Sequence, residues 1–385
     1  IIQEHVAASA NIKSTTDHQR FMDALDKGKD LSLEERPRHP VALYQYTGGT
    51  TGRSKGAVLT HTNLMSVLQM AEDYFSSHID FDREGAILTV LPLYHIFAFT
   101  LNFMMFFKVG MRNLLIPNPR PISNLKPAFE NFKVTWMTGV DTFYTALLDE
   151  PWFQDHQHTL KYAIAGGTAL RASTARKWND SVCTILEGYG LTETCCILSV
   201  HPPTGEQRTG SVGLPMPGSD VKLVDENGDT VEAGQAGEIA VRGPHVIQDY
   251  LNRPEETKAA IIDGWFYTGD IATMDKDGFL RIVDRKKDIV LVSGFNVYPN
   301  EIEDIIADHP DVLEVAVIGV PNEKTGEAIR AVVSPRRPEL TAEALVEYCR
   351  ENLTAYKVPK QIVFLNDLPK SPVGKILRAE LRKLQ

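Results

Sequence analysis

Residues 46–56, Tyr-Thr-Gly-Gly-Thr-Thr-Gly-Arg-Ser-Lys-Gly, are the strongest local signal for chemistry in this chain. Thr47, Thr50 and Thr51 alternate with Gly48, Gly49 and Gly52, and Lys55 follows. Glycines let successive backbone N–H groups converge on an anion. Threonine hydroxyls add donors and the lysine adds a charge, so the loop reads as a grip on a polyphosphate. Its spacing is not G-x-x-x-x-G-K-[ST], and a strand rather than a helix follows, so it is not that phosphate loop. The competing reading is an ordinary surface turn.

Three weaker signals lie downstream. Gly188-Tyr189-Gly190-Leu191-Thr192-Glu193 follows an apolar strand ending at Leu186. A Gly-Tyr-Gly turn there offers an aromatic face to a flat ring, and Glu193 offers a hard oxygen of the kind Mg²⁺ prefers. The same residues also fit a tight turn around a packing tyrosine. Tyr267-Thr-Gly-Asp270 pairs with Asp284-Arg285; an acid at a strand end can accept hydrogen bonds from both hydroxyls of a ribose. Alone, such an acid is more often a turn residue. Lys375, within Lys370-Ser-Pro-Val-Gly-Lys-Ile-Leu-Arg378, has nothing in its own neighbourhood to distinguish it from a solvated charge.

The elements that must position these groups follow from periodicity. Residues 41–46 and 57–59 read as strands, and Leu64, Val67, Leu68, Ala71 and Phe75 recur at helix spacing behind Thr62 or Asn63 as N-cap. Residues 87–91 read as a buried strand and 95–107 as a buried helix. Between 110 and 200, apolar runs at 113–116, 134–137, 162–165 and 184–186 alternate with helical patterns, which predicts an α/β layer with a mostly parallel sheet. From 211 to 284 the pattern becomes β-rich, with turn signals at 226–229 and 275–278, and predicts a small β-barrel or sandwich region. Residues 285–385 read as a separate α+β unit: a helix opened by Pro299, strands at 312–320 and 328–334, and a helix capped by Thr341. One further helix is expected near 19–26. The boundary falls at Arg285-Lys-Lys-Asp288, dividing the chain into 1–284 and 285–385.

Composition narrows the classes. The 385 residues carry 40 Lys+Arg and 50 Asp+Glu, a net charge of −10. Chains this long usually hold two or three domains or subdomains. An acidic balance disfavours a dedicated nucleic-acid binder. The four cysteines, Cys183, Cys195, Cys196 and Cys349, form no C-x-x-C pair, which disfavours a zinc site or disulfide framework and makes Cys195 and Cys196 buried apolar residues. Residues 87–109 are apolar enough to pass for a membrane span, but Pro92, His95, Asn102 and Lys108 interrupt them.

Taken in order, the motifs resemble those of the adenylate-forming acyl-CoA synthetases, close to bacterial long-chain fatty-acid–CoA ligases. The resemblance runs from about Phe21 to the C-terminus. It includes residues 46–56, Leu91-Pro-Leu-Tyr-His-Ile-Phe97, Gly188–Glu193, Asp263-Gly-Trp-Phe-Tyr-Thr-Gly-Asp270, Asp284–Asp288, Gly294-Phe-Asn-Val-Tyr-Pro-Asn-Glu-Ile-Glu303 and Pro369–Arg378. It implies a large α/β adenylation domain followed by a smaller mobile domain. The implied reaction joins a fatty acid, ATP and coenzyme A. The carboxylate attacks the α-phosphorus, and the thiol then displaces AMP. Such chemistry is mainly a charge problem, so fixed cations and N–H donors should dominate it.

By that resemblance, Thr47, Gly48, Gly49, Thr50, Thr51, Gly52 and Lys55 hold phosphates, and Thr47 and Glu193 coordinate Mg²⁺. Tyr189 stacks on adenine opposite Gly166 and Gly167, within a nucleotide pocket that includes Gly188, Gly190 and Thr192. Asp270 and Arg285 meet the ribose. Lys375 bridges the carboxylate and the α-phosphate, Lys287 is the hinge, and His95 gates the acyl and thiol pockets, although His95 also fits as a hydrogen-bonded core histidine. Phe97, Gly139, Val140 and the Gly166 strand would border the acyl pocket, and Gly294 the pantetheine channel. Each buried CH₂ contributes ~0.8 kcal/mol, so a long tunnel would select for chain length.

The resemblance also implies a cytoplasmic protein, with transient contact to the inner membrane surface open but no basic amphipathic helix to mediate it; homo-oligomerisation stays open. Relatives carry a further stretch before the phosphate loop, so the chain is expected to be a fragment, a processed form or a partial product. Two alternatives remain at this stage: adenylation of another acid or for another thiol acceptor, and a silent nucleotide- or acyl-binding remnant.

Overall fold

The computed structural model describes residues 40–47, 54–371 and 374–384, and the elements below belong to one compact unit, Val41–Gln385. The helix expected near 19–26 and the loop at 48–53 lie outside the described residues.

β1 (Val41–Thr47) and β2 (Lys55–Thr60) form an antiparallel pair in which Thr47 stands opposite Lys55. α1 (His61–Ser76) follows directly. Its cap is Thr60, not Thr62 or Asn63: the Thr60 hydroxyl accepts from the Asn63 N–H at 3.1 Å, and Asn63 Oδ1 accepts from the Thr60 N–H at 3.0 Å. This reciprocal box satisfies two otherwise orphaned donors, which is why the helix starts earlier than its apolar stripe.

A seven-stranded sheet forms the centre. Its members are β3 (Ala86–Thr89), β4 (Arg112–Leu115), β5 (Val134–Gly139), β6 (Tyr162–Ala165), β7 (Thr184–Tyr189), β8 (Ser199–Val200) and β9 (Leu214–Pro215). They run in the order β4-β3-β5-β6-β7-β8-β9. The first five are parallel and the last two antiparallel. The expected 95–107 helix is a π-helix, Phe97–Met105, running into α2 (Phe106–Lys108). It buries Phe97, Leu101, Asn102 and Met105 and leaves Phe103 and Phe107 exposed. Asn102 is held by the Thr89 and Thr138 hydroxyls at 2.9 and 2.8 Å. The inward face of this helix is therefore partly a satisfied polar network rather than a continuous apolar lining. α3 (Lys126–Asn131), α4 (Asp141–Leu148), α5 (Pro151–His156) and α6 (Ala172–Ser181) complete the layer. Their core includes the fully buried Tyr144, Phe153 and Trp178, while Trp136 packs against Phe75, Phe106 and Tyr162 on the other side.

The β-rich region is an open sheet, not a closed barrel. β10 (Asp220–Val224), β11 (Gly237–Arg242), β12 (Ile261–Ile262), β13 (Trp265–Met274) and β14 (Leu280–Arg285) pair in the order β10-β11-β13-β12, with β14 also on β13. The ten-residue β13 carries β12 on its first half and β14 on its second. No pairing joins β10 to β12 or β14 among the described residues, so the edge is left open. α7 (Pro254–Ala260) lies beside β12.

The chain then passes through a single turn, Lys286–Asp288, into a third sheet. It contains β15 (Val290–Val292), β16 (Phe295–Val297), β17 (Val312–Asn322), β18 (Gly326–Pro335) and β19 (Gln361–Phe364). α8 (Pro299–Ala307) and α9 (Ala342–Asn352) accompany them, the latter capped by the Thr341 hydroxyl at 3.2 Å. α10 (Arg378–Leu381) ends the described chain. No helix among the described residues is long and apolar enough to cross a membrane. Cys195 and Cys196 are buried, as expected, and Cys349 is buried as well.

Asn63 also ties α1 to a distant loop, donating to the Pro244 and Val246 carbonyls at 2.8 and 2.9 Å. Asn63→Ala would strand these acceptors and open the cap, at a cost of about 2–4 kcal/mol. The urea midpoint should fall with an unchanged slope; an unaltered midpoint would contradict the assignment.

Candidate active site

In an open parallel sheet, ligands bind beyond the carboxyl ends of the strands, where strand order reverses. Here β3 lies between β4 and β5, and the segments that leave the strand ends carry most of the expected site. His95 and Phe97 follow β3. Gly139 ends β5 and Val140 follows it. Gly166 and Gly167 follow β6, and Gly188-Tyr189 end β7. Register aligns these ends, with Gly139 opposite Ala165 and Ala165 opposite Glu187.

Gly190 is sterically required, and Gly166 is tightly packed. A Cβ on Gly190 would lie 1.6 Å from the Cys196 carbonyl oxygen, so the turn after β7 closes only around glycine. A Cβ on Gly166 would meet the Phe97 ring at 3.3 Å and the Gly188 carbonyl at 3.4 Å. Phe97 therefore lies against the Gly166 backbone. Gly167 has φ +80° and open space where a side chain would be.

Tyr189 reaches across to β13. Its hydroxyl donates to Asp270 Oδ2 at 2.5 Å. Burial, reinforced by the Asp270 carboxylate, pushes this phenol well above its ordinary value, so it stays a donor. Asp270 is itself buried, and its Oδ1 lies 3.5 Å from Arg285 Nε, the residue opposite it on β14. The carboxylate expected to meet a ribose is thus already oriented by a tyrosine and an arginine.

Lys55 and Glu193 are linked by a residue absent from the expected set. Lys55 Nζ lies 5.2 Å from the centroid of the Tyr250 ring, and the Tyr250 hydroxyl donates to Glu193 Oε1 at 2.8 Å. Burial pushes the Glu193 carboxyl up, while the Tyr250 hydrogen bond and the Lys55 charge oppose that shift. Tyr250 is held in place by backbone: Ala57 bridges to it, and the Leu251 N–H donates to the Gly56 carbonyl at 2.8 Å. No local pattern marks Tyr250, because both partners are remote in sequence. A half-buried carboxylate aimed by one phenol is a hard oxygen ligand of the kind suited to a cation that keeps phosphate oxygens and waters. Thr192 sits in the same short turn as Glu193, and its carbonyl accepts from the Cys195 N–H at 3.1 Å.

Lys375 arrives from the far end of the chain. Its turn is closed by the Ser371 N–H donating to the Lys375 carbonyl at 2.8 Å and the Lys375 N–H donating to Ser371 Oγ at 3.2 Å. A Cβ on Gly374 would lie 3.6 Å from Val140 Cγ2, so the turn rests on the segment leaving β5. Burial, aided by Arg285, Arg378 and Lys287, pushes the Lys375 ammonium down to about 8, with Asp270 opposing. Burial and the Lys375 charge together lower His95, which keeps that ring neutral at pH 7. Five groups from five parts of the sequence therefore share one electrostatic neighbourhood: His95, Tyr189, Asp270, Arg285 and Lys375.

Lys287 occupies the turn that joins the second and third sheets. Gly294 is not brought to this neighbourhood. It is exposed between β15 and β16 at φ +85°, with no described atom within 4 Å of a side-chain position. The loop at 48–52 lies outside the described residues, although its flanks, Thr47 and Lys55, face each other across the hairpin.

The family model described as AMP-binding enzyme matches residues 3–251, and the AMP-binding enzyme C-terminal domain matches 301–375. A long-chain-fatty-acid–CoA ligase of Salmonella typhimurium is 49% identical over 366 residues, spanning 94% of this chain and 65% of its own length. This chain thus covers somewhat less than two thirds of that relative. ATP-bound MatB from Rhodopseudomonas palustris superposes with a TM-score of 0.83 at 34% identity, over 91% of this chain and 69% of that one. An O-succinylbenzoate coenzyme A synthetase from Bacillus subtilis, in complex with ATP and a magnesium ion, gives 0.80 at 28% identity, over 93% and 74%.

An acylating amine reagent should modify Lys375 with a midpoint near pH 8, because its neutral form is favoured by burial, while surface lysines follow the ordinary ammonium value near 10.5. Mass-spectrometric mapping across pH 6–10 measures this. A Lys375 midpoint indistinguishable from that of the surface lysines would refute the burial.

Proposed function

We propose, because this chain belongs to the AMP-binding enzyme family, that it serves a ligase that activates a long-chain fatty acid with ATP and passes the acyl group to coenzyme A. The observation that carries this reading is the position of Lys375 beside Asp270, Arg285 and His95. A carboxylate is a poor electrophile because it is anionic and its leaving group would be oxide. In the proposed first step its oxygen attacks the α-phosphorus, the bond to the β-phosphate oxygen breaks, and pyrophosphate leaves. Lys375 neutralises the two anions as they meet and holds them in line, while the loop at 47–52 and Lys55 take the β- and γ-phosphates.

Tyr189 and the Gly166-Gly167 backbone sandwich the base, in a pocket completed by Gly188, Gly190 and Thr192. Asp270 and Arg285 orient the ribose. Thr47 and Glu193, the latter aimed by Tyr250, would hold Mg²⁺, which when bound supplies charge neutralisation on the phosphates. Phe97, Gly139 and Val140 border the acyl chain, with His95 at the gate. In the second step the coenzyme A sulfur attacks the acyl carbonyl and AMP leaves with the bonding pair. That step needs Lys375 withdrawn and the Gly294 loop brought in, so the small domain would turn about Lys287 between the two half-reactions. We place the domain boundary at that hinge and the protein in the cytoplasm.

The whole polypeptide should release pyrophosphate only when ATP, Mg²⁺ and a fatty acid are all present. Lys375→Ala should lower this release by roughly 10²-fold or more while sparing thioester formation from preformed acyl-adenylate. A chain-length series run beside aryl acids identifies the substrate. Absence of release with every fatty acid, or faster release with an aryl acid, would reject the reading.

A further inference from the structure

Three residues beyond Lys375, the Arg378 guanidinium gathers the side chains around the inter-sheet turn. Its Nη2 donates to Glu303 Oε1 and Asn300 Oδ1, both at 2.7 Å, and Nε reaches Glu303 Oε1 at 3.2 Å. Nη1 reaches Asp288 Oδ2 at 3.3 Å and lies 3.5 Å from Asp284 Oδ1. Asp284 is fully buried and precedes the turn at Lys286–Asp288; Asp288, Asn300 and Glu303 lie at its end or beyond it. The turn is spanned twice more at the same point: the Asn300 N–H donates to Asp284 Oδ2 at 2.8 Å, and Asn300 Nδ2 donates to the Val283 carbonyl at 3.1 Å.

These bonds divide into two sets. Arg378 with Glu303, Asn300 and Asp288, and Arg382 with Asp288 at 2.7 Å, lie on one side of Lys287 and would travel together in any rotation about it. Arg378 with Asp284, and Asn300 with Asp284 and Val283, cross it. Only the second set depends on the orientation in which Lys375 meets Asp270 and Arg285. Asp284 is one residue from Arg285, so the same short stretch of β14 presents a nucleotide-facing arginine and an anchor for the incoming segment.

We propose that Asp284 and Arg378 form a latch that holds the small domain in the orientation where Lys375 enters the site. They act as positioning residues that touch no substrate. This rests on the reading that Lys375 serves adenylation. Breaking the crossing contact should impair the half-reaction that needs Lys375 and leave the other, since the rotated arrangement gives up this contact in any case.

The test uses the whole polypeptide with Asp284→Asn and, separately, Arg378→Lys. The asparagine keeps an acceptor for the Asn300 N–H but removes the charge, and the lysine keeps the charge but loses the fork. ATP–pyrophosphate exchange with fatty acid should fall at least tenfold in Asp284→Asn, with thioester formation from preformed acyl-adenylate and coenzyme A staying within threefold. Arg378→Lys should fall between that variant and the parent. Independently of turnover, the pH midpoint for reductive methylation of Lys375 should rise from about 8 toward the ordinary ammonium value near 10.5 in Asp284→Asn, because the lysine spends more time withdrawn. Equal loss of both half-reactions with unchanged Lys375 labelling, or no loss of either, overturns the latch. If the parent shows no pyrophosphate exchange, the proposed function fails, while the labelling midpoint still decides the latch.

Discussion

A positive charge drawn partly out of water, in the field of a carboxylate and an arginine, is the constraint on which this structure depends. The Lys375 ammonium could be solvated at almost no cost on the surface. Instead its turn is pressed against the segment leaving β5, where burial weakens its hold on a proton. That state is unfavourable unless an anion arrives, so the site stores a demand for negative charge. Asp270 answers part of it, but Asp270 is already committed to Tyr189 and Arg285. An incoming carboxylate and phosphate would supply the rest, in a partly desolvated setting where fixed charges act more strongly than in water.

The central sheet makes this convergence possible. Parallel strands of matched register put their carboxyl ends in one row, so short segments far apart in sequence open onto a common edge. Glycines are placed at close approaches: Gly190 under the Cys196 carbonyl and Gly166 under the Phe97 ring. The second sheet contributes by a single long strand. β13 carries Asp270 in its middle and is long enough to pair with two different strands along one side. The carboxylate is therefore fixed on both sides of the chain rather than placed on a loop.

Tyrosine hydroxyls do much of the orienting. Tyr189 and Tyr250 each sit against a carboxylate, the buried Asp270 and the half-buried Glu193, and each donates to it. A phenol suits this role because burial keeps it protonated, leaving a donor that stabilises the ionised acid without adding a charge of its own. The Arg378 cluster extends the same logic to the turn between sheets, where a guanidinium spreads its five donors over residues that approach from both directions.

Much of this was legible in the residue order. Alternating apolar runs and helical patterns between 110 and 200 specify a parallel layer, because only strands buried on both faces read as unbroken apolar runs. The glycine-threonine loop, the Gly-Tyr-Gly turn and the strand-end acids stand out by type and spacing as candidate phosphate, ring and ribose groups, although each alone also fits an ordinary turn. Local patterns misplaced the start of α1, where Thr60 and Asn63 cap each other, and they suggested a barrel where β12 and β14 share one side of β13 and leave the edge open. They also missed Tyr250 and gave no reason to single out Lys375. Side-chain chemistry and local periodicity are properties of neighbours in the chain, so the sequence determined which groups exist and which elements carry them. Whether a lysine ten residues from the end lies in water or beside Asp270, and which hydroxyl aims Glu193, depends on contacts between residues tens to hundreds of positions apart, and only the tertiary structure decides those.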